Sequence, residues 1–334
     1  MGSTASVGRW CLLVLLQWAA FPAASQQTAS DMQFGQQNPT AEPRRFQAKA
    51  ASEVPCTTNR FGTDTVREGV FDFEGVFTME HREMFHKNGY IVMRNLIPRE
   101  IIQKFRQKYF SNDNVKKFGT PMCGHGCAGQ PQRLKMHIEE SVLFASLKAF
   151  RPGLFMAYNL VKGEPRATEM DNTTNFERAI SEMGHGMHSH NNVALPGAVY
   201  QNPHWDVSNT YPKIEDMVLM DVPLVDVTYK NAPLEIWKST HRVDYKQLFD
   251  DPDPIVRTPN TFRQYWHCFE GMVDAARQRP SAIVRSTAGD AVLRNPSTWH
   301  RGTPNNETSA RDMITILMMP KGRGKGKGKG KGKV

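Results

Sequence analysis

From Ser286 to Leu317 the chain reads STAGDAVLRNPSTWHRGTPNNETSARDMITIL, and the reading of this stretch decides the fold. Gly289-Asp290 is a turn signal, and Ala291-Val292-Leu293 after it is a short β-type run. That strand is expected to continue through Arg294-Asn295 to Trp299-His300. A polar turn from Gly302 to Ser309 follows, and Arg311 then heads an apolar strand, Met313-Ile314-Thr315-Ile316-Leu317. Read as a hairpin, the two strands place Arg311 beside His300. A guanidinium in that position can grip a carboxylate through two parallel hydrogen bonds.

Upstream the same texture repeats. Short β-type runs occur at Ala198-Val199-Tyr200, Met217 to Val227, Leu234 to Trp237 and Ala282-Ile283-Val284, with turn residues such as Asn231 and Pro233 between them. One helical insertion, about residues 262–278, interrupts them. The folded part opens differently. A helix from Thr78 to Asn88 stops at Gly89, Tyr90 to Met93 is a strand, and Pro98 starts a second helix with Ile101, Ile102, Phe105 and Tyr109 as its apolar stripe. A further helix is expected over residues 134–150, then a long polar loop over 162–192. Many short strands after a helical opening predict a mainly β protein: a double-stranded β-helix, the cupin-like jelly roll, with helices packed on one face.

Pro203-His204-Trp205-Asp206 supplies the chemistry. On a strand, residues two apart share a face, so an imidazole and a carboxylate stand side by side. His300 from a distant strand completes a two-His-one-carboxylate set, which suits non-haem iron(II) and leaves positions open for a cosubstrate and oxygen. A lone His-x-Asp is common by chance; the same motif with a late His and a following Arg is not. The loop Gly184-His185-Gly186-Met187-His188-Ser189-His190 offers clustered imidazoles that suit copper or zinc. The blander reading is a polar loop. Another reading puts His190 or Asn192 on a strand next to His204, helping to hold the cosubstrate. His241 reads as capping a strand edge, and Asn231 as making a turn.

These residues resemble the phytanoyl-CoA dioxygenase family of iron(II)/2-oxoglutarate-dependent oxygenases. Phe85 to Val92 resembles that family's opening helix–strand signature, and His204-Trp205-Asp206 its first two metal ligands. Asn231 to His241 resembles its asparagine-led strand ending in Ser-His, and His300 and Arg311 follow in its order and spacing. The resemblance spans roughly residues 75–320. It implies iron(II) on His204, Asp206 and His300, 2-oxoglutarate as cosubstrate with its far carboxylate on Arg311, and ascorbate as an accessory. It implies hydroxylation of an unactivated C–H bond with decarboxylation of 2-oxoglutarate to succinate. Asn231-Ala232 stands where the family usually has Asn-Gly, and Trp237-Lys238 where it usually has Pro-Gly. The acyl-CoA of the family's name also does not suit the compartment read from the chain's beginning.

Residues 1–25 read as a secretory signal peptide: Arg9, the apolar run Trp10 to Phe21, then small residues to Ser25. Residues 26–74 read as a flexible linker, 75–320 as the oxygenase domain and 321–334 as a disordered Gly-Lys tail. The tail's six Lys and one Arg carry +7 of the net charge of +9, so the rest of the chain carries only +2 and gives no reason to put nucleic acid on the core. A weak contact of the tail with a polyanion is expected at most. Cys56, Cys123, Cys127 and Cys268 remain after the signal and allow up to two disulfides, their pairing open. A lumenal or secreted protein with no spanning segment in its mature form is expected, or one bound for an organelle along the secretory route. Its substrate is a small molecule, a lipid or a glycan. The rival reading is a catalytically degenerate secreted binding protein on the same scaffold, tethered by its tail. A copper or zinc protein built on the histidine cluster is a further one.

Overall fold

The computed structural model describes residues 64–110, 120–121, 132–137, 150–162, 180, 188–211, 213–244 and 270–319. The expected signal, Gly-Lys tail, four mature cysteines and His185 lie outside them. Eight strands form one sheet: β1 (Val70–Asp72), β2 (Tyr90–Arg94), β3 (Thr120–Pro121), β4 (Arg133–His137), β5 (His188–Ala194), β6 (Val218–Pro223), β9 (Ala291–Arg294) and β11 (Arg311–Met318). Their order across it is β1-β2-β9-β6-β11-β5-β4-β3, all antiparallel except β1 with β2. A three-stranded sheet carries β7 (Leu234–Ile236), β8 (Ala282–Val284) and β10 (His300–Gly302) in the order β10-β7-β8.

Strand alternation sorts the large sheet into two faces. Ile91, Met93, Val193, Val218, Met220, Leu293, Ile314 and Ile316 share one apolar cluster with residues of three helices: α1 (Met79–Asn88), α2 (Arg99–Tyr109) and α3 (Arg151–Lys162). On the opposite face, Tyr90, Val92 and Val292 meet Ile236 and Val284 of the small sheet. The helices follow local rules. Thr78 caps α1 with a capping box, and Gly89 ends it at φ 82. Gly89 also lies against the site's supports: a Cβ there would come within 2.5 Å of His241 Nδ1 and Thr298 Oγ1. A fourth helix, α4 (Glu270–Arg277), accepts the indole N–H of Trp237 at Ala276 O, 2.9 Å.

The structure corrects five expectations. Residues 133–137 form β4 where the first turn of a helix is expected; the rest of that helix, 138–149, lies outside the described residues, and a helix occupies 151–162. The alternation Arg133-Leu134-Lys135-Met136-His137 belongs to a strand with one polar and one apolar face. The end of the expected polar loop is β5, a strand held on both edges by β4 and β11. Ala198-Val199-Tyr200 forms no strand. β1 and the bridge Thr65–Ile283 belong to the sheets, although they fall inside the stretch read as linker. Lastly, β10 and β11 are not a hairpin. Proline at 296 cannot extend a ladder, the chain turns at Asn295–Ser297, and β10 crosses to the small sheet while β11 returns to the large one.

Candidate active site

His204 is placed by main-chain pairing with β10. His204 N donates to His300 O at 2.9 Å, and His300 N donates to His204 O at 2.8 Å. Directly opposed residues of an antiparallel pair put their side chains on one face, and the two imidazoles lie 4.3 Å apart, centre to centre. The expected strand for His204 and Asp206 reduces to this single bridge. Asp206 sits one bend further on, its N–H given to Pro296 O at 2.9 Å. The ligand atoms of His204, Asp206 and His300 fall within 4.8 Å of one another, the only such grouping among the described residues.

The donor set fits a divalent metal. Nδ1 of His204 lies 2.8 Å from Asn202 O, and Nδ1 of His300 lies 3.0 Å from Thr298 O. A carbonyl only accepts, and for His300 the 3.0 Å contact outweighs the longer 3.4 Å approach of Arg294 Nη1 to the same Nδ1, so each Nδ1 carries the proton and each Nε2 keeps its lone pair for a metal. Burial depresses both imidazole pKa values, most strongly that of His300, so both rings are neutral ligands. Burial works to raise the Asp206 carboxyl, but the Arg294 guanidinium hydrogen-bonded to it outweighs that and holds it well below the usual carboxylate range. His300 Nε2 is 3.3 Å from Asp206 Oδ2.

Arg311 comes from the large sheet, opposite Ala194 of β5. Only 5% of it is exposed, and burial pushes its pKa down to about 10, leaving it cationic near neutrality. Nη1 reaches Asn192 O at 3.3 Å, Nε has no hydrogen-bond partner, and no acid among the described residues lies within ion-pair distance. Its neighbour Asp312 points to the other face and pairs with Arg106 at 2.8 Å. A buried guanidinium so left over fits an anionic occupant. Arg133, directly across Ala194 on β4, is pushed down to about 9 by burial and by Arg311. It donates to Val199 O and Thr303 O.

The remaining candidates separate. His190 and Asn192 stand on β5 with Ala194 between Arg133 and Arg311, on the face turned to the small sheet. Asn192 donates to Thr315 Oγ1 at 2.9 Å. His188 and His190 lie in a strand rather than a loop. His241 caps a helix instead of a strand edge: its Nε2 lies 3.0 Å from His86 O at the end of α1, where Ser239 Oγ also donates to Lys87 O. Asn231 makes its turn, accepting from Thr228 N at 2.6 Å, and Ala232 after it adopts φ 59, the left-handed region that favours glycine.

Sequence reasoning missed Arg294 and Asp221. Arg294 Nη1 donates to Asp206 Oδ2 at 2.6 Å, and its Nε donates to Asp221 Oδ2 at 2.7 Å. The signal was present: one Asp in the fully buried strand Val218–Pro223, and one Arg ending another. A buried lone charge of that kind is almost always paired.

A family profile described as phytanoyl-CoA dioxygenase (PhyH) matches residues 132–313. Among solved structures, a non-heme alpha-ketoglutarate-dependent carbocyclase, SnoK from nogalamycin biosynthesis, is similar at TM-score 0.52 and 14% identity. The match covers 73% of this chain and 84% of that one. EvdO2 from Micromonospora carbonacea var. aurantiaca, complexed with 2-oxoglutarate, is similar at TM-score 0.46 and 15% identity over 75% of this chain and 94% of that one. The likeness to the carbocyclase is one of fold. Among the described residues no helix is long and apolar enough to cross a membrane.

Proposed function

The chain belongs to the phytanoyl-CoA dioxygenase family, and on that premise we propose that it is an iron(II)- and 2-oxoglutarate-dependent oxygenase that hydroxylates an unactivated C–H bond. The observation that carries this reading is the pairing of an intact His204–Asp206–His300 triad with a buried Arg311 on the facing sheet that has no acidic partner among the described residues.

Iron(II) with 2-oxoglutarate and dioxygen would supply oxidative decarboxylation to succinate and carbon dioxide, one oxygen atom of O2 going to succinate and the other to the oxidised C–H bond. His204 and His300 hold the metal through Nε2, and Asp206 adds the charged ligand. Arg311 orients the cosubstrate by its far carboxylate. Apolar side chains such as Trp205 and Trp299, each at most 1% exposed, exclude water from behind the ligands. The substrate is a small molecule, a lipid or a glycan. The degenerate-scaffold reading has no support in a triad with every member in place.

Titration of 2-oxoglutarate against metal-loaded protein tests the assignment. Charge-assisted hydrogen bonds contribute on the order of 1.5–3 kcal/mol each, so Arg311→Ala should raise the half-saturating concentration at least tenfold, and Arg311→Lys less, with the metal retained. Unchanged affinity in the Ala variant removes the cosubstrate role. We also propose entry into the secretory route, supported by the apolar run Trp10 to Phe21 and the small residues after it. Sequencing the mature N-terminus from secreting cells should find a start near Gln26; a retained Met1 refutes it.

A further inference from the structure

Arg294 and Asp221 lie on the sheet face turned inward to the site, in strands that are otherwise apolar. Leu219 pairs with Arg294 and Asp221 with Val292, so the two charges are diagonal neighbours on β9 and β6. Their side chains are 4% and 0% exposed. From this pair a chain of hydrogen bonds runs both ways. In one direction Arg294 reaches Asp206, whose carboxylate has no other side-chain hydrogen-bond donor among the described residues. In the other, Thr315 Oγ1 donates to Asp221 Oδ1 at 2.7 Å and accepts from Asn192 Nδ2 at 2.9 Å. Thr315 has one hydroxyl proton, so that order is fixed. Asn192 O accepts from Arg311.

Asp206 needs such support. It lies in a bend, outside any strand, and its side chain is 36% exposed. Left alone, a carboxylate there samples several rotamers, only some of which face the two imidazoles. We propose that Arg294 is a positioning residue that, anchored by Asp221, fixes Asp206 toward the two histidines and ties the metal carboxylate to the strand pair carrying Arg311. The inference rests on the triad being a metal site. Asp221 has a second effect. By sharing the guanidinium it leaves part of the Asp206 charge available to a metal; without it the whole cation falls on the ligand.

Cobalt(II), titrated by its visible absorption into the full chain, is the probe. Wild-type protein should bind it and His204→Ala should not. Equal binding by those two sinks the metal-site reading itself. Given that difference, Asp221→Asn, which alters no ligand, and Arg294→Lys, which keeps the charge but reaches only one carboxylate, should each weaken cobalt binding 10- to 100-fold. A purely structural ion pair predicts otherwise: a lower melting temperature, with cobalt affinity within twofold of wild type wherever the protein is folded. Thr315→Val, which loosens Asp221 without changing charge, keeps the test alive if a charged-pair variant fails to fold. It should weaken cobalt severalfold, and wild-type affinity in it, or in either folded pair variant, overturns the proposal.

Discussion

On one face of β11, Ile314, Ile316 and Met318 are closed off among the helices; on the other, Arg311, Met313 and Thr315 look into the space between the sheets. The same eight residues therefore serve two regimes. The helix side is apolar beyond Asp312, which pairs with Arg106 at the strand's start, and each fully buried aliphatic side chain contributes roughly 1.5–3 kcal/mol by leaving water. The inward side is graded. Near β2 and β8 it is apolar, with Val92, Val284 and Val292 in contact, and toward β4 it becomes a field of arginines and carboxylates. One face stabilises the fold; the polar end of the other holds groups in place at a cost to stability, as binding sites do.

The largest effect expected from this contrast is on stability. Ile316→Ala should destabilise the protein by about 2–5 kcal/mol by opening a cavity among the helices. Its 2-oxoglutarate half-saturation should stay unchanged at temperatures where it is folded. Denaturant unfolding beside a cosubstrate titration measures both, and a shifted half-saturation would join the two faces functionally. A smaller effect of opposite sign is expected five residues earlier. Arg311→Met removes a buried charge that has no carboxylate partner among the described residues, so the ligand-free protein should melt at a higher temperature. A lower melting temperature would make Arg311 a structural residue and break the comparison. The smallest effect concerns acid. Burial pushes His241 down to about 4, against about 6.5 in the unfolded chain. As the pH falls below 6.5 the unfolded state takes up a proton that the folded state refuses until about pH 4. Stability conferred by the neutral ring is thus full above pH 6.5 and is lost progressively toward pH 4. His241→Gln should flatten the fall in melting temperature between those values; an unaltered slope would mean that other groups carry it.

The site was more legible than the strand plan. His204, Asp206, His300 and Arg311 could be picked out because each is a chemically demanding residue in a short, punctuated context. The structure brings the first three together and sets Arg311 on the facing sheet. Helix α1 was legible through Thr78 and Gly89, which mark its ends locally. β4 was not, because Leu134, Met136 and the residues after them carry a helical period that outweighs a five-residue alternation. β5 was hidden by its composition: His188-Ser189-His190-Asn191-Asn192 has few β-formers, and its pairing with two neighbours makes it a strand. The supposed hairpin failed because adjacency in sequence says nothing about which of two layers a strand joins. Arg294 and Asp221 needed the opposite inference, from burial to partner, and burial shows only once the sheets are laid out.

That crossing between layers has a consequence for selectivity. His300 stands on the small sheet and Arg311 on the large one, eleven residues later. Stacked sheets lie about 10 Å apart, and under the proposed function the cosubstrate spans part of that gap, metal end to carboxylate end. The sandwich then works as a caliper. Its jaw width is set by the packing of Val92, Ile236, Val284 and Val292 at the far end, not by any residue touching the ligand. On that reading, dicarboxylic acids one carbon shorter or longer should bind more weakly than 2-oxoglutarate, because the thickness of the fold itself measures them.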